Sequence, residues 1–194
     1  MKKDKFFTIA QLRKPFCRHL NQIQLLGASV TMHNMTDIEQ GLISGETICE
    51  LVGEAMNIHS VALGQPTQFI ILNEIESLSK ASEIVPHHPL AKQALAAIVV
   101  CGDLNGAENK DKWMFDCETA SQKLLLAANA SGLSAHISTI YPDKDKMYNM
   151  STLLDLPDNI IAHSYVAMGS PAKITGSCEA FSNERVHFNG WVIK

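Results

Sequence analysis

Short apolar runs alternating with segments of helical period predict a layered α/β or α+β domain for this chain of 194 residues. Three observations carry that prediction. The runs at 69–72, 94–101 and 160–168 have the length and β-branched content of buried strands. Helix-period stretches with readable starts and stops fall between them. One segment, residues 113–132 (WMFDCETASQKLLLAANASG), suits a buried helix but is too short and too polar for a membrane span. Its leucines supply apolar area while its alanines admit a close neighbour, so it is expected to pack on several elements at once, a second subunit included.

Taken in order, the first 31 residues mix basic and apolar side chains. Phe6, Phe7, Ile9, Ala10 and Leu12 suit one face of a short helix ended or bent at Pro15. Ser44, with Glu46 and Thr47 behind it, reads as a helix start, and Ile48, Leu51, Val52 and Ala55 recur at helical spacing. Gly64, Gln65 and Pro66 break the chain before the 69–72 strand. A helix over 75–81 and a loop holding Pro86, His87, His88 and Pro89 follow. The next run has its strand at 98–101, closed by Gly102 and Asp103, and 104–112 is a polar loop. In the central segment Asp116 complements the helix dipole and Gly132 is the stop. Beyond it come an extended passage over 134–141, a helix over 144–154, a turn at 156–158 and the 160–168 strand. The tail over 181–194 has too few apolar residues for its own core and must lie on a larger body, its own or a partner's.

Composition excludes several classes. Hydrophobic residues at 46% and charged residues at 19% describe one ordinary globular domain, able to bury about 70% of its unfolded surface. A net charge of −4 without a basic face argues against nucleic-acid binding. No signal peptide or span is read, and cytoplasmic residence is expected. The five cysteines lack any C-x-x-C pair and read as reduced, buried small hydrophobes. The N-x-[ST] matches at Asn34, Asn129 and Asn149 are chance in such a chain.

Chemical motifs are missing. There is no G-x-G-x-x-G, P-loop, H-E-x-x-H or G-x-S-x-G. His87 and His88 lack a third ligand at metal spacing, and His136 and His163 read as satisfied core histidines. No metal site and no catalytic side chain is expected, so any chemistry would be carried by a cofactor.

A series of short motifs in order resembles the FMN-dependent nitroreductase family, in a compact and divergent form. Residues 58–69 (IHSVALGQPTQF) are similar to the family's A-P-S-A-x-N-x-Q-P-W-x-F turn, and HPLAK at 88–92, followed by the strand IVVCGD at 98–103, to H-P-x-A-K and its strand. Asp116, Ala120, Gln122, Leu125, Leu126, Ala127 and Ala128 match the family's long helix. GL at 132–133, IYP at 140–142, LDLP at 154–157, MGSPA at 168–172 and Arg185-Val186-His187 with Trp191 complete the set.

The resemblance implies an α+β, three-layer fold with helices around a central mixed sheet, in an intertwined homodimer. Residues 1–31 would be an N-terminal extension and 32–194 the domain, with a C-terminal tail embracing the partner. Two FMN sites would lie between the subunits, each built from both chains, with NAD(P)H and a nitroaromatic or quinone-like acceptor used in turn. The implied cofactor contacts are Ser60 and Gln65 from the turn and Ser138 and Thr139 near the flavin ring. Arg185 and His33, with Asn34, or else Arg18, would serve the phosphate.

The family's R-R-S-x-R phosphate run has no arginine where a gapless extension places it, at 32–36 (MHNMT); only 14–18 (KPFCR) faintly resembles it. His59, Leu63 and Thr67 replace the turn's proline, asparagine and tryptophan, and Lys123 replaces the helix asparagine. Two alternatives therefore stand beside the enzyme: a nitroreductase-fold dimer with weakened or lost flavin binding that serves as a binding or regulatory protein, and an enzyme handling free reduced flavin.

Overall fold

The computed structural model describes residues 43–85 and 93–170. The expected 6–12 helix, the His87-His88 loop and the 181–194 tail lie outside that range, as do Arg18, His33, Asn34 and Arg185. Four helices and four strands make up the described part: α1 (Gly45–Met56), β1 (Thr67–Leu72), α2 (Ile75–Ile84), β2 (Ala96–Asp103), α3 (Trp113–Ala130), β3 (Ser134–Thr139), α4 (Lys144–Leu154) and β4 (Ile160–Gly169). The strands form one sheet in the order β1-β2-β4-β3. Every described pairing is antiparallel, so the parallel neighbour of a mixed sheet is not among the described residues.

Local chemistry explains most boundaries. Ser44 caps α1 as expected, its Oγ accepting the Thr47 N–H at 3.1 Å. Asp143 caps α4, its carboxylate accepting the N–H groups of Asp145 and Lys146. Gly132, at φ +77°, provides the left-handed turn that releases α3 into β3. β2 is longer than the expected 98–101 strand, and Gly102 and Asp103 continue it instead of closing it. They pair with Ile161 and Ile160 of β4. Because β2 and β4 are covered on both faces, they read as continuous apolar runs; Ile98, Val99 and Val100 are fully buried. Each such side chain contributes about 1.5–3 kcal/mol by leaving water.

The sheet divides the core into two layers, which gives the three-layer architecture. On one face Ile48, Leu51, Ala55, Ile98, Val100, Cys117, Ala120 and Leu124 pack together under α1 and α3. On the other, Leu78, Val85, Val99, Cys101, Met150 and Tyr165 pack under α2 and α4. α3 touches α1 and all four strands, as its mixture of leucine and alanine predicts. A buried hydroxyl pair, Ser121 Oγ to Ser164 Oγ at 2.6 Å, ties it to β4.

One expectation is corrected here. Cys101 and Cys117 are buried, and burial pushes both thiols up to about 12, but Cys49 is exposed on α1. The leucine face of α3 is not wholly interior: Leu124 is buried, whereas Leu126 is 67% exposed and Phe115 57%.

Candidate functional site

The turn over residues 58–66 is where side-chain chemistry concentrates. The Asp116 carboxylate, 0% exposed in the first turn of α3, accepts three hydrogen bonds from it: Ser60 Oγ at 2.5 Å, Val61 N–H at 2.8 Å and Ala62 N–H at 3.2 Å. Asp116 is therefore an anchor for the turn more than a dipole partner for its own helix. A buried carboxylate is tolerable only when its lone pairs are filled in this way.

With that anchor in place, Leu63, Gly64 and Gln65 all adopt positive φ, at 59°, 77° and 53°. Such conformations are costly for leucine and glutamine and persist only where the surroundings over-determine them. Three more backbone bonds do so: Glu108 N–H donates to Leu63 O at 3.5 Å, Asn109 N–H to Ala62 O at 2.8 Å and Asp103 N–H to Pro66 O at 2.7 Å. Gly64 is packed so tightly that a Cβ there would collide with Gly106 O. The turn, with the end of α1 and the edge strand β1, forms a cleft of about 230 Å³ lined by Met56, Ile58, Ser60, Gln65, Gln68 and Phe69 among others.

Ser60 and Gln65 thus line the same cleft. Lys123, in place of the family's asparagine, has its Nζ on the carbonyl of Asn57 at the end of α1. Gln122 bonds Glu118 on the exposed side of α3 at 3.0 Å.

Ser138 and Thr139 lie on β3, the opposite edge of the sheet. Three strand spacings, about 14 Å, separate β1 from β3. Both groups nevertheless sit at the same end, because Thr67 pairs with Gly102, Gly102 with Ile161, and Thr139 with Ser164. The two residues differ in what they offer. Ile140 N–H bonds His163 O, which makes Ile140 and Ser138 ladder-bonded positions and Thr139 a non-bonded one. The Thr139 N–H and C=O consequently point away from β4, to the side of β3 where no described strand pairs. Ser138 spends its backbone on Tyr165, and its side chain, buried at 8% exposure, turns to the α2/α4 face, where its Oγ lacks a partner among the described residues. The structure does not bring the Ser138 side chain to the face that holds Ser60 and Gln65.

Three residues at this end of the sheet carry roles that their sequence context does not announce. Trp113 lies across Gly102, where a Cβ would run into the indole at Trp113 Cε3. Its ring meets Tyr141 at 5.1 Å and His163 at 6.0 Å, both edge-on. His163 is the extra residue of a β-bulge: Val100 pairs with Ser164 and Cys101 with Ala162, skipping it. It is buried, as a core histidine would be, and its Nδ1 has no partner among the described residues. Burial lowers its pKa, opposed in part by the negative charge of Glu118. The apolar run at 160–168 contains no sign of a bulge, since one extra residue leaves its apolar character unchanged.

The described residues thus form a three-layer α+β domain with a small cleft beside β1 and the outward-facing backbone of Thr139 on β3. No protein-family model matches the chain. A protein of Methanothermobacter thermautotrophicus named "Putative NADH dehydrogenase/NAD(P)H nitroreductase" is 30% identical over 172 residues, covering 89% of this chain and 90% of its own. A crystal structure under the same name, from Parabacteroides distasonis, has a TM-score of 0.72 at 30% identity, covering 87% of this chain and 98% of its own. An FMN-dependent nitroreductase of Clostridium difficile shares the fold at a TM-score of 0.66 and 19% identity, covering 87% and 99%. The chain belongs to the NAD(P)H nitroreductase family of oxidoreductases.

Proposed function

We propose that this protein is an FMN-dependent oxidoreductase that draws electrons from NAD(P)H and passes them to a nitroaromatic or quinone-like acceptor, and that it works as a homodimer. The observation that carries this reading is the separation of the two half-sites. The Ser60–Gln65 cleft and the open Thr139 edge share one end of the sheet but lie on opposite sides of it. At about 230 Å³ the cleft is smaller than the roughly 300 Å³ at which ligand sites begin. A second copy bringing its Thr139 edge to this cleft would complete a site that one chain leaves open. The exposed side chains of Phe115, Leu126, Val61 and Leu63 suit such an association.

The described residues fit the ring portion of the cofactor. Thr139 N–H would donate a hydrogen bond to a ring nitrogen or carbonyl, Gln65 has amide donors and an acceptor at the cleft, and Met56, Ile58 and Phe69 give an apolar wall. Ser60 is already committed as a donor to Asp116, so it would act as an acceptor. No lysine or arginine lines the cleft among the described residues, and Arg18, Arg185, His33 and Asn34 remain the proposed phosphate partners. When bound, FMN supplies the electron transfer itself; the chain's part is to hold the ring, exclude water and offer hydrogen bonds to it.

The test is direct. Purified protein should carry flavin absorbance or take up FMN at micromolar concentration, and should then oxidise NAD(P)H with a quinone or nitroaromatic present. A colourless preparation that ignores FMN would reject this reading in favour of a nitroreductase-fold dimer that has lost its flavin. Arg18→Ala and Arg185→Ala, measured separately, identify the phosphate grip.

A further inference from the structure

We propose that His163 is a positioning residue: its bulge and its ring together set the end of β3 and so aim the Thr139 N–H at the open edge. This rests on the flavin-site reading of that edge given above. A regular β4 would hold its side chains strictly alternate. The extra residue breaks that rule, because Ala162 and Tyr165 both pack on the α2/α4 layer while Ser164 reaches Ser121 on the other. His163 therefore turns to the α3 side together with Ser164. There its ring stacks on Tyr141 at 6.1 Å and 18°, with Trp113 edge-on to both.

The backbone of the same residue acts in parallel. His163 O accepts both Ile140 N–H at 2.9 Å and Tyr141 N–H at 3.0 Å, the two amides that follow Thr139. Thr139 is thus fixed from one side by the ladder-bonded Ser138–Tyr165 pair and from the other by the doubly bonded bulge carbonyl. The ring stack prevents Tyr141 from swinging away and taking that turn with it. What matters in this arrangement is a flat ring on the bulge, so phenylalanine should substitute and an aliphatic side chain should not.

The experiment uses the full-length protein with His163→Ala, His163→Leu and His163→Phe. The first arm needs no flavin: amide hydrogen exchange at Ile140 and Tyr141, referenced to Val99 and Val100 in the same sample so that global destabilisation cancels. The leucine and alanine variants should speed exchange at the two amides by about tenfold relative to the reference, and the phenylalanine variant should remain near the parent. The second arm is FMN titration with visible spectra. Leucine should weaken binding about tenfold and shift the flavin absorption bands, with phenylalanine restoring both. The leucine variant fills the space and keeps the test open if alanine does not fold. Unchanged exchange in the leucine variant overturns the proposal. So does faster exchange with unaltered FMN affinity and spectrum, since the ring would then be structural only. A parent protein that takes up no FMN overturns the functional reading instead, and the exchange arm alone then decides whether His163 holds the strand end.

Discussion

The two edges of the sheet are built on opposite principles. At the β1 edge a strained turn is held by a side chain: Asp116 spends its carboxylate on Ser60, Val61 and Ala62, and the turn keeps three consecutive residues at positive φ. At the β3 edge no charged group takes part among the described residues. An inserted residue in the neighbouring strand collects two backbone amides on one carbonyl, and Thr139 turns its own N–H outward. The first edge offers a cleft with side-chain hydrogen-bonding groups; the second offers backbone. The difference teaches that a side-chain anchor demands a particular residue, whereas a backbone donor places almost no demand on residue type.

The comparison can be broken most severely at Asp116. Asp116→Ala leaves three donors without their acceptor in a tightly turned segment, and a loss of about 3–5 kcal/mol is expected in urea unfolding, with Asp116→Asn costing less. If the alanine variant loses under about 1 kcal/mol, the turn is held by its backbone bonds alone, and the two edges are more alike than their bonding suggests. Next come the glycines. Gly64→Ala drives a methyl group against the backbone oxygen of Gly106, and Gly102→Ala drives one into the Trp113 ring. Each should cost about 1–3 kcal/mol, with the larger effect at Gly64, where positive φ adds strain and a backbone atom cannot step aside. Gly102→Ala should also disturb tryptophan fluorescence, because it displaces the ring that touches both Tyr141 and His163.

A smaller change follows from the hydroxyl pair between α3 and β4. Ser121→Ala leaves Ser164 buried without its partner and should cost about 1–2 kcal/mol, whereas the double change to alanine should cost less than the sum of the two singles. The smallest effect sharpens the β3 edge. Burial lowers the His163 pKa below its ordinary 6.5, so over the range below 6.5 the unfolded chain binds more protons than the folded one. That contribution is complete above about 6.5 and is progressively lost as the pH falls below it. The parent's stability should therefore fall faster than that of His163→Phe over this interval; parallel pH profiles would show that the imidazole is not held neutral.

Much of the β1 half is legible in the sequence. Gly64-Gln65-Pro66 announces a turn whatever surrounds it, Ser44 announces a helix start, and Ser60 and Gln65 do share a cleft. Asp116 is visible too, but its role is not. A carboxylate in a first helical turn complements the dipole in isolation, whereas its three acceptor bonds come from residues more than fifty positions away. Across the sheet less can be read. Thr139 stands out by its place in a pattern, while Ser138, its neighbour, belongs to the opposite face and to the ladder. A one-residue difference on a strand reverses both the side-chain direction and the backbone bonding, and the register that decides it is a property of two strands.

By itself, then, the sequence determined the layered architecture, because apolar period, chain punctuation and strand length are local quantities. It bounded α4 at the residues observed and placed α1 and α3 correctly, with the leucines and alanines of α3 marking the helix that touches every described strand. It also carried enough short motifs to point to the family. Tertiary structure alone decided what those residues hold. The Asp116 anchor, the Trp113 ring over Gly102 and the His163 bulge each depend on segments distant in the chain arriving within hydrogen-bond or van der Waals distance. That arrival is set by how two core layers close around one sheet, and no local pattern records it.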